Sequence, residues 1–202
     1  MASAARSATS SDVKNLARTL ARAFDDDPVM AWMWPDVAAR RRGLPRLFAA
    51  LTKYHHLAGG GAEVVTDDSG TVVGAALWDP PGGWQQSTLT DLRMFPALVR
   101  AFGRRLQVGG AIAETMKAKH PTELHWYLAM IGTDPDARGA GYGQTLMRSR
   151  LDRCDAEHSP AYLESSKAEN VPYYQRFGFE VTDEIVVADG GPTVYAMWRN
   201  AR

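Results

Sequence analysis

The stretch from His125 to Gln144 holds the residues whose types and spacing are best suited to chemistry. Leu124 to Ile131 is a nearly unbroken apolar run, the pattern of a strand buried on both faces. Gly132 permits a bulge or a close approach by another molecule, and Thr133-Asp134-Pro135-Asp136 is turn chemistry. Arg138-Gly139-Ala140-Gly141-Tyr142-Gly143-Gln144 follows, just ahead of an amphipathic helical pattern. A strand, a glycine loop and a helix start together present a row of unpaired backbone N–H groups, with the positive end of the helix dipole behind them. Such a row is a cradle for phosphate.

Glycine loops serve several ligand classes, and spacing separates them. A P-loop ends in Gly-Lys-Ser/Thr, whereas Gly143 is followed by Gln144 and Thr145. The dinucleotide fingerprint needs glycine at its sixth place, which counted from Gly139 is Gln144. Glu164, on the next strand, can imitate the ribose-binding acid of that fingerprint, so the dinucleotide reading is weakened and stays open on spacing alone.

Two motifs taken together resemble a known family. Arg138-Gly139-Ala140-Gly141-Tyr142-Gly143 matches, position for position, the Arg/Gln-x-x-Gly-x-Gly/Ala loop of the GNAT superfamily of acyl-CoA-dependent N-acyltransferases. Asn170-Val171-Pro172-Tyr173-Tyr174-Gln175-Arg176-Phe177-Gly178-Phe179 resembles its second signature, with a strand between the two. Within the superfamily, Trp126-Tyr127-Leu128-Ala129, Tyr162-Leu163-Glu164-Ser165-Ser166, Asn170 to Tyr174 and Thr193 to Met197 are similar to the puromycin N-acetyltransferases, a group associated with antibiotic resistance. The similarity runs from about Ala4 to Arg199 and is thinnest between Asp79 and Thr122.

The resemblance implies an α/β fold of the α+β type: a GNAT-like, mostly antiparallel twisted sheet with a central parallel strand pair, flanked by helices. It implies acetyl-CoA as cosubstrate, no metal, and direct attack by a primary amine of a small molecule in a ternary complex. N-acylation from a thioester asks for three things: a neutral amine, a stabilised carbonyl oxygen and a proton for the departing thiolate. Glu164, at the end of a buried strand, is the candidate base, and Tyr174 the candidate acid. Backbone N–H groups at Ile131, Gly132 and Thr133 are expected to polarise the acyl oxygen and hold the pantetheine arm, with Asn170 assisting. Residues 138–144 would hold the pyrophosphate. Thr133 stands where the family more often has valine. In the family the loop of Asp25, Asp26 and Asp27 borders the acceptor site, so Asp25 and Asp27 are candidates for attracting a cationic amine. Trp32 and Trp78, with Trp34 and Trp84, offer flat surfaces to an aromatic acceptor, though core packing serves four tryptophans as well. Two other readings stand beside this one: a protein or peptide N-acetyltransferase, and a non-catalytic acyl-CoA sensor. The presence of both Glu164 and Tyr174 argues against a sensor, which needs only the cradle.

The elements that must position these groups are legible in part. The 202 residues, 45% hydrophobic, suit one domain over 1–202. The 23 basic and 23 acidic residues balance without a basic stripe, which speaks against a nucleic-acid partner. One cysteine, no long apolar span and a polar start are read as a cytoplasmic protein with no membrane partner, monomeric or homodimeric. Ala4 to Ala8 reads as a short strand, followed by a helix capped by Thr9, Ser10 or Ser11 whose apolar face includes Leu16, Leu20 and Phe24. Val29 to Trp34 is core or pocket wall, and Arg40 to Leu57 is a second helix. His55 and His56 have no carboxylate or cysteine at ligand spacing and are read as ordinary residues. A hairpin over 62–78 turns at Asp67-Asp68-Ser69-Gly70. Residues 79–122 form a helical insertion between the third and fourth strands, interrupted at Pro96 and at Gly109-Gly110. After the cradle, Leu146, Met147, Leu151 and Cys154 make an apolar stripe that assigns the thiol to the core. Ala161 to Ser165 should lie parallel to the central strand, and a last hairpin turns at Asp189-Gly190-Gly191-Pro192.

Overall fold

The computed structural model describes residues 4–187 and 190–202. Among these, seven strands form one sheet: β1 (Arg6–Ser7), β2 (Ala62–Thr66), β3 (Val72–Asp79), β4 (Trp126–Thr133), β5 (Ala161–Ser165), β6 (Glu180–Val186) and β7 (Thr193–Arg199). Their spatial order is β1-β2-β3-β4-β5-β7-β6, and β4 with β5 is the one parallel pair. The helices are α1 (Val13–Ala23), α2 (Pro28–Met33), α3 (Val37–Leu51), α4 (Thr88–Phe102), α5 (Leu106–Lys119), α6 (Tyr142–Ala156) and α7 (Val171–Gln175).

Both faces of the central strands are covered, which explains why they read as unbroken apolar runs. Ala75 and Leu77 pack with α1, α2 and α3, while their neighbours Ala76 and Trp78 pack with α6 and α7. The same alternation places Tyr162 on the first face and Ala161 and Leu163 on the second. On the second face the buried Arg150 guanidinium pairs with Glu63 at 2.9 Å and lies 4.6 Å from the Trp126 ring. Burial pushes the Glu63 carboxyl up despite that partner.

Several local expectations need correcting. The first helix is not capped by Thr9, Ser10 or Ser11; Asp12 occupies the cap position and turns its carboxylate back to Arg6 and Thr9. The second helix starts at Val37 and passes into a π-helical turn over Thr52–His56. Pro96 lies inside α4 rather than ending it, because it sits on the exposed side, where water can serve the carbonyl it leaves unbonded. The break falls at Gly103, whose φ of 54° suits glycine. Gly109 does not interrupt α5 either; a Cβ there would come within 2.7 Å of the Phe102 ring, so its smallness seats α5 against α4. The expected turn at Asp189-Gly190-Gly191-Pro192 lies partly outside the described residues. No helix among the described residues is long and apolar enough to cross a membrane.

The bulge in β4 is not at Gly132. Leu77 pairs with Met130 and Trp78 with Leu128, which leaves Ala129 as the extra residue. Gly132 instead admits α1: an added Cβ would meet Ala23 Cβ at 2.6 Å, with Leu20 and Phe24 close behind. Gly132→Ala is therefore expected to lower stability by about 1–3 kcal/mol through overpacking, measured by urea denaturation against the parent chain. A variant of unchanged midpoint would mean that α1 does not press on β4 there.

Candidate active site

The site begins where two strands part. β4 and β5 pair only through Trp126 with Ala161, Tyr127 with Tyr162, and Leu128 with Leu163. Beyond that point β4 stays with β3 to Thr133, and β5 stays with β7 to Ser165. The two ladders diverge and leave a fork in the middle of a covered sheet, with Glu164 the first β5 residue past the last shared pair.

Backbone groups at the fork obey the strand period. Asp134 N–H donates to Val73 at 2.8 Å, and bonding alternates along an antiparallel ladder. Gly132, opposite Ala75, is thus turned toward β3, whereas Ile131 and Thr133 present their N–H and C=O to the fork. The expectation of free amides at three consecutive residues is corrected on this ground, since successive residues of a strand face opposite neighbours.

The cradle takes its form from two left-handed glycines. Gly139 and Gly141 have φ of 86° and 85°, and no atom stands within 4 Å of where a Cβ on either would be. Gly141 precedes α6, whose first intrahelical bond runs from Thr145 N–H to the Gly141 carbonyl. The amides of Tyr142, Gly143 and Gln144 in the first turn therefore have no acceptor within the helix. The loop is strapped to α1 by Arg22, which bonds Asp134 at 2.8 Å and Asp136 at 2.7 Å. Arg138 reaches back to the Ala23 carbonyl at 3.5 Å.

Fork and cradle open into one cleft of about 820 Å³. Ile131, Gly132, Thr133, Arg138, Gly139, Gly141, Tyr142, Gly143, Gln144, Glu164, Asn170 and Tyr174 all line it. Ala140 belongs to the loop without lining the cleft. One wall is apolar, built from Met30, Met33, Leu51, Phe102, Ile112 and Met116, so the helical insertion closes one end.

The Glu164 side chain is only 7% exposed, and its Oε1 has no hydrogen-bond partner. Burial pushes its carboxyl up to about 7, with the phenols of Tyr127 and Tyr162 opposing the rise. Tyr174 is buried on α7, and desolvation, then the neighbouring Tyr173 and Asp27, hold its phenol protonated far above the neutral range. Tyr173 also lines the cleft, and its buried hydroxyl has no partner. Cys154 is fully buried away from the cleft, and burial raises its thiol to about 12.

The acceptor-side expectations fare differently. Asp27 lines the cleft but is a helix cap: Oδ1 accepts from the Val29 and Met30 amides at 2.9 and 3.0 Å, and Oδ2 from the Ser166 hydroxyl. Burial raises its pKa, which those bonds oppose. Asp25 is not in the cleft; it bonds Arg41 at 3.0 Å, with Arg40 beyond, so its charge is spent on α3. Trp78 is fully buried in the core beneath α6, and Trp32 packs at the margin of the other core, so neither forms a cleft wall. The reason is the strand and helix face each occupies, which composition does not reveal. His55 and His56, read as lacking a carboxylate, meet one supplied from β3: Asp79 Oδ1 lies 2.8 and 3.0 Å from the two rings. Burial raises the Asp79 carboxyl and the two imidazoles more than offset it, leaving it lowered.

Comparison with known proteins bears on this geometry directly. Residues 104–197 match the family model described as Acetyltransferase (GNAT) domain. The matched stretch contains β4, the glycine cradle, β5 and the motif around Tyr174. An uncharacterized N-acetyltransferase of Schizosaccharomyces pombe is 29% identical over 187 residues, covering 87% of this chain and 74% of that protein. A Corynebacterium glutamicum crystal structure, described as histone acetyltransferase HPA2 and related acetyltransferase, superposes with a TM-score of 0.77. It is 28% identical, with 100% of this chain and 98% of the other covered. Arylalkylamine N-acetyltransferase 2 from Aedes aegypti shares the fold, with a TM-score of 0.64 at 14% identity over 98% of each chain. The protein is an acetyltransferase, and the GNAT fold implies acetyl-CoA as cosubstrate. The open amides of the cradle and the unfilled ladder of the fork fit such a donor. Gly141→Val, which forces a β-branched residue to a φ of 85°, is expected to weaken acetyl-CoA binding at least roughly tenfold by calorimetry with the fold retained. Normal binding would remove the loop from the donor site.

Proposed function

We propose that this acetyltransferase moves the acetyl group of acetyl-CoA to the primary amine of a small molecule with a largely apolar body, by direct attack in a ternary complex. Puromycin-like aminonucleosides are the first acceptors to test. One observation carries the reading: a buried carboxyl tuned to about 7 and a buried phenol kept protonated line the same cleft as the fork and the glycine cradle.

The bound cosubstrate supplies an activated acyl thioester; the chain supplies position and protons. Amides of residues 141–144 hold the pyrophosphate, and the N–H groups of Ile131 and Thr133 at the fork take the pantetheine arm and polarise the acyl oxygen. Asn170, at the cleft rim, assists the arm. Glu164 accepts the amine proton, directly or through water, and Tyr174 gives its proton to the departing sulfur. The methionine-rich wall selects for an apolar acceptor, because a flexible thioether surface adapts to aromatic groups and offers no charge to pair. The insertion that closes that end favours a small molecule over a folded protein substrate.

The base works as carboxylate, so kcat/KM should rise as pH increases through about 7 and level off above it. Glu164→Gln is expected to lower kcat by roughly 10²-fold or more and to abolish that limb, with acetyl-CoA affinity retained. Tyr174→Phe should lower kcat by roughly 10-fold or more with little change in acetyl-CoA affinity. Thiol release from acetyl-CoA across a panel of amines reads all three. An unaltered pH profile in Glu164→Gln would discard Glu164 as the base.

A further inference from the structure

Behind Glu164 lies a pair of buried histidines with no part in the chemistry so far. His120 follows α5 and His125 precedes β4; they are 8% and 2% exposed. Their Nε2 atoms are 3.0 Å apart. His125 Nδ1 lies 2.6 Å from the Glu123 carbonyl oxygen, and His120 Nδ1 lies 3.8 Å from Glu164 Oε1. The His120 ring is clamped by Trp84, 3.9 Å away between centroids, and by the edges of Tyr127 and Tyr162.

These contacts determine where the protons sit. A carbonyl oxygen only accepts, so His125 carries its proton on Nδ1. In a neutral ring that leaves Nε2 bare, and the 3.0 Å contact is then made by a proton on His120 Nε2. His120, neutral in turn, directs a bare Nδ1 lone pair at Glu164. Burial, then the neighbouring histidine, holds His120 down at about 4, and burial lowers His125 as well, so both rings are neutral near pH 7.

We propose that His125 is a tautomer lock on His120, and that the bare His120 Nδ1 so enforced is a positioning group that keeps Glu164 a competent base. A lone pair facing a carboxylate disfavours the charged form, and the same lone pair accepts a hydrogen bond from the carboxylic acid. Once Glu164 has taken the amine proton, its O–H donates to Nδ1 by closing the 3.8 Å separation through a small side-chain shift, which gives Oε1 the partner it otherwise lacks. No proton need move onto the imidazole. In the opposite tautomer, or as imidazolium, His120 would donate to Glu164 and hold it as a tightly paired carboxylate of low proton affinity. The other ionisable groups facing these residues are Tyr127 from β4, Tyr162 from β5, Asp79 from β3 and, beside His125, Glu123.

This inference rests on Glu164 as the base, so its first test does not use activity. Imidazole nitrogen shifts of ¹⁵N-labelled protein at pH 7 should show His120 neutral with the proton on Nε2, and His125 neutral with the proton on Nδ1. A protonated Nδ1 on His120 would overturn the proposal. The second test uses His125→Leu, which removes the acceptor and releases the Nδ1–H tautomer of His120. The midpoint of the acidic limb of kcat/KM should then fall by about one pH unit, and kcat by roughly tenfold, with the acetyl-CoA KM unchanged. His125→Gln, which restores an acceptor oxygen, should return the midpoint to that of the parent. A loss of kcat with the midpoint unmoved in His125→Leu, or failure of His125→Gln to restore it, would reduce the pair to packing. Should Glu164→Gln stay fully active, the base assignment fails, while the nitrogen shifts still decide whether His125 fixes the His120 tautomer.

Discussion

A backbone ladder left unfinished inside a covered sheet is the constraint on which the rest of the molecule depends. Buried N–H and C=O groups must be paired, and a sheet interior offers only neighbouring strands or a ligand. β4 and β5 share three residue pairs and then part, because each is already committed on its outer side, to β3 and to β7. The groups stranded on the inner edge of β4 have the geometry of a sheet edge and open, half-buried, into the cleft. Such an edge suits an extended, amide-bearing arm, and Glu164 sits at its apex.

Electrostatics around this fork consist mostly of charges cancelled elsewhere. Asp25 is paired with α3 arginines, Asp26 with Lys167, Asp134 and Asp136 with Arg22, and Asp155 with Arg199. These pairs brace the loops around the cleft; being largely exposed, most contribute little stability individually. Beside Arg138, Lys167 and Arg176, the cleft is faced by a carboxyl made basic by burial and a phenol kept protonated chiefly by the same cause. Desolvation is the largest cause of both shifts, with Tyr173 and Asp27 adding to the second.

Legibility in the sequence follows the range of the interaction involved. The strand, glycine loop and helix of residues 124–156 are readable because each depends on near neighbours: apolar periodicity, left-handed glycines, a helix start. The parallel placement of β5 follows from the helical crossover that joins it to β4. Asp25, Trp32 and Trp78 look like acceptor contacts and are not, because residue type says nothing about which face a side chain takes or what lies opposite. Asp79 closing on His55 and His56, and His120 reaching Glu164, are meetings of segments far apart in the chain, for which no local spacing exists to be read.

The sequence by itself determined the backbone form of the glycine loop and of the elements beside it. Gly139 and Gly141 prescribe left-handed turns, and the motif around Tyr174 prescribes a short helix that leads to Gly178. Only the tertiary structure decided which side chains wall the cleft and how Glu164 titrates. The wall of Met30, Met33, Leu51 and Met116 joins α2 and α3, from the first quarter of the chain, to α5 inside the insertion. The Glu164 carboxyl rises to about 7 only once the packed segments take it out of water, against the opposing phenols of Tyr127 and Tyr162. A backbone conformation is a property of the residue that adopts it, whereas desolvation and proximity belong to the packing that brings distant segments together.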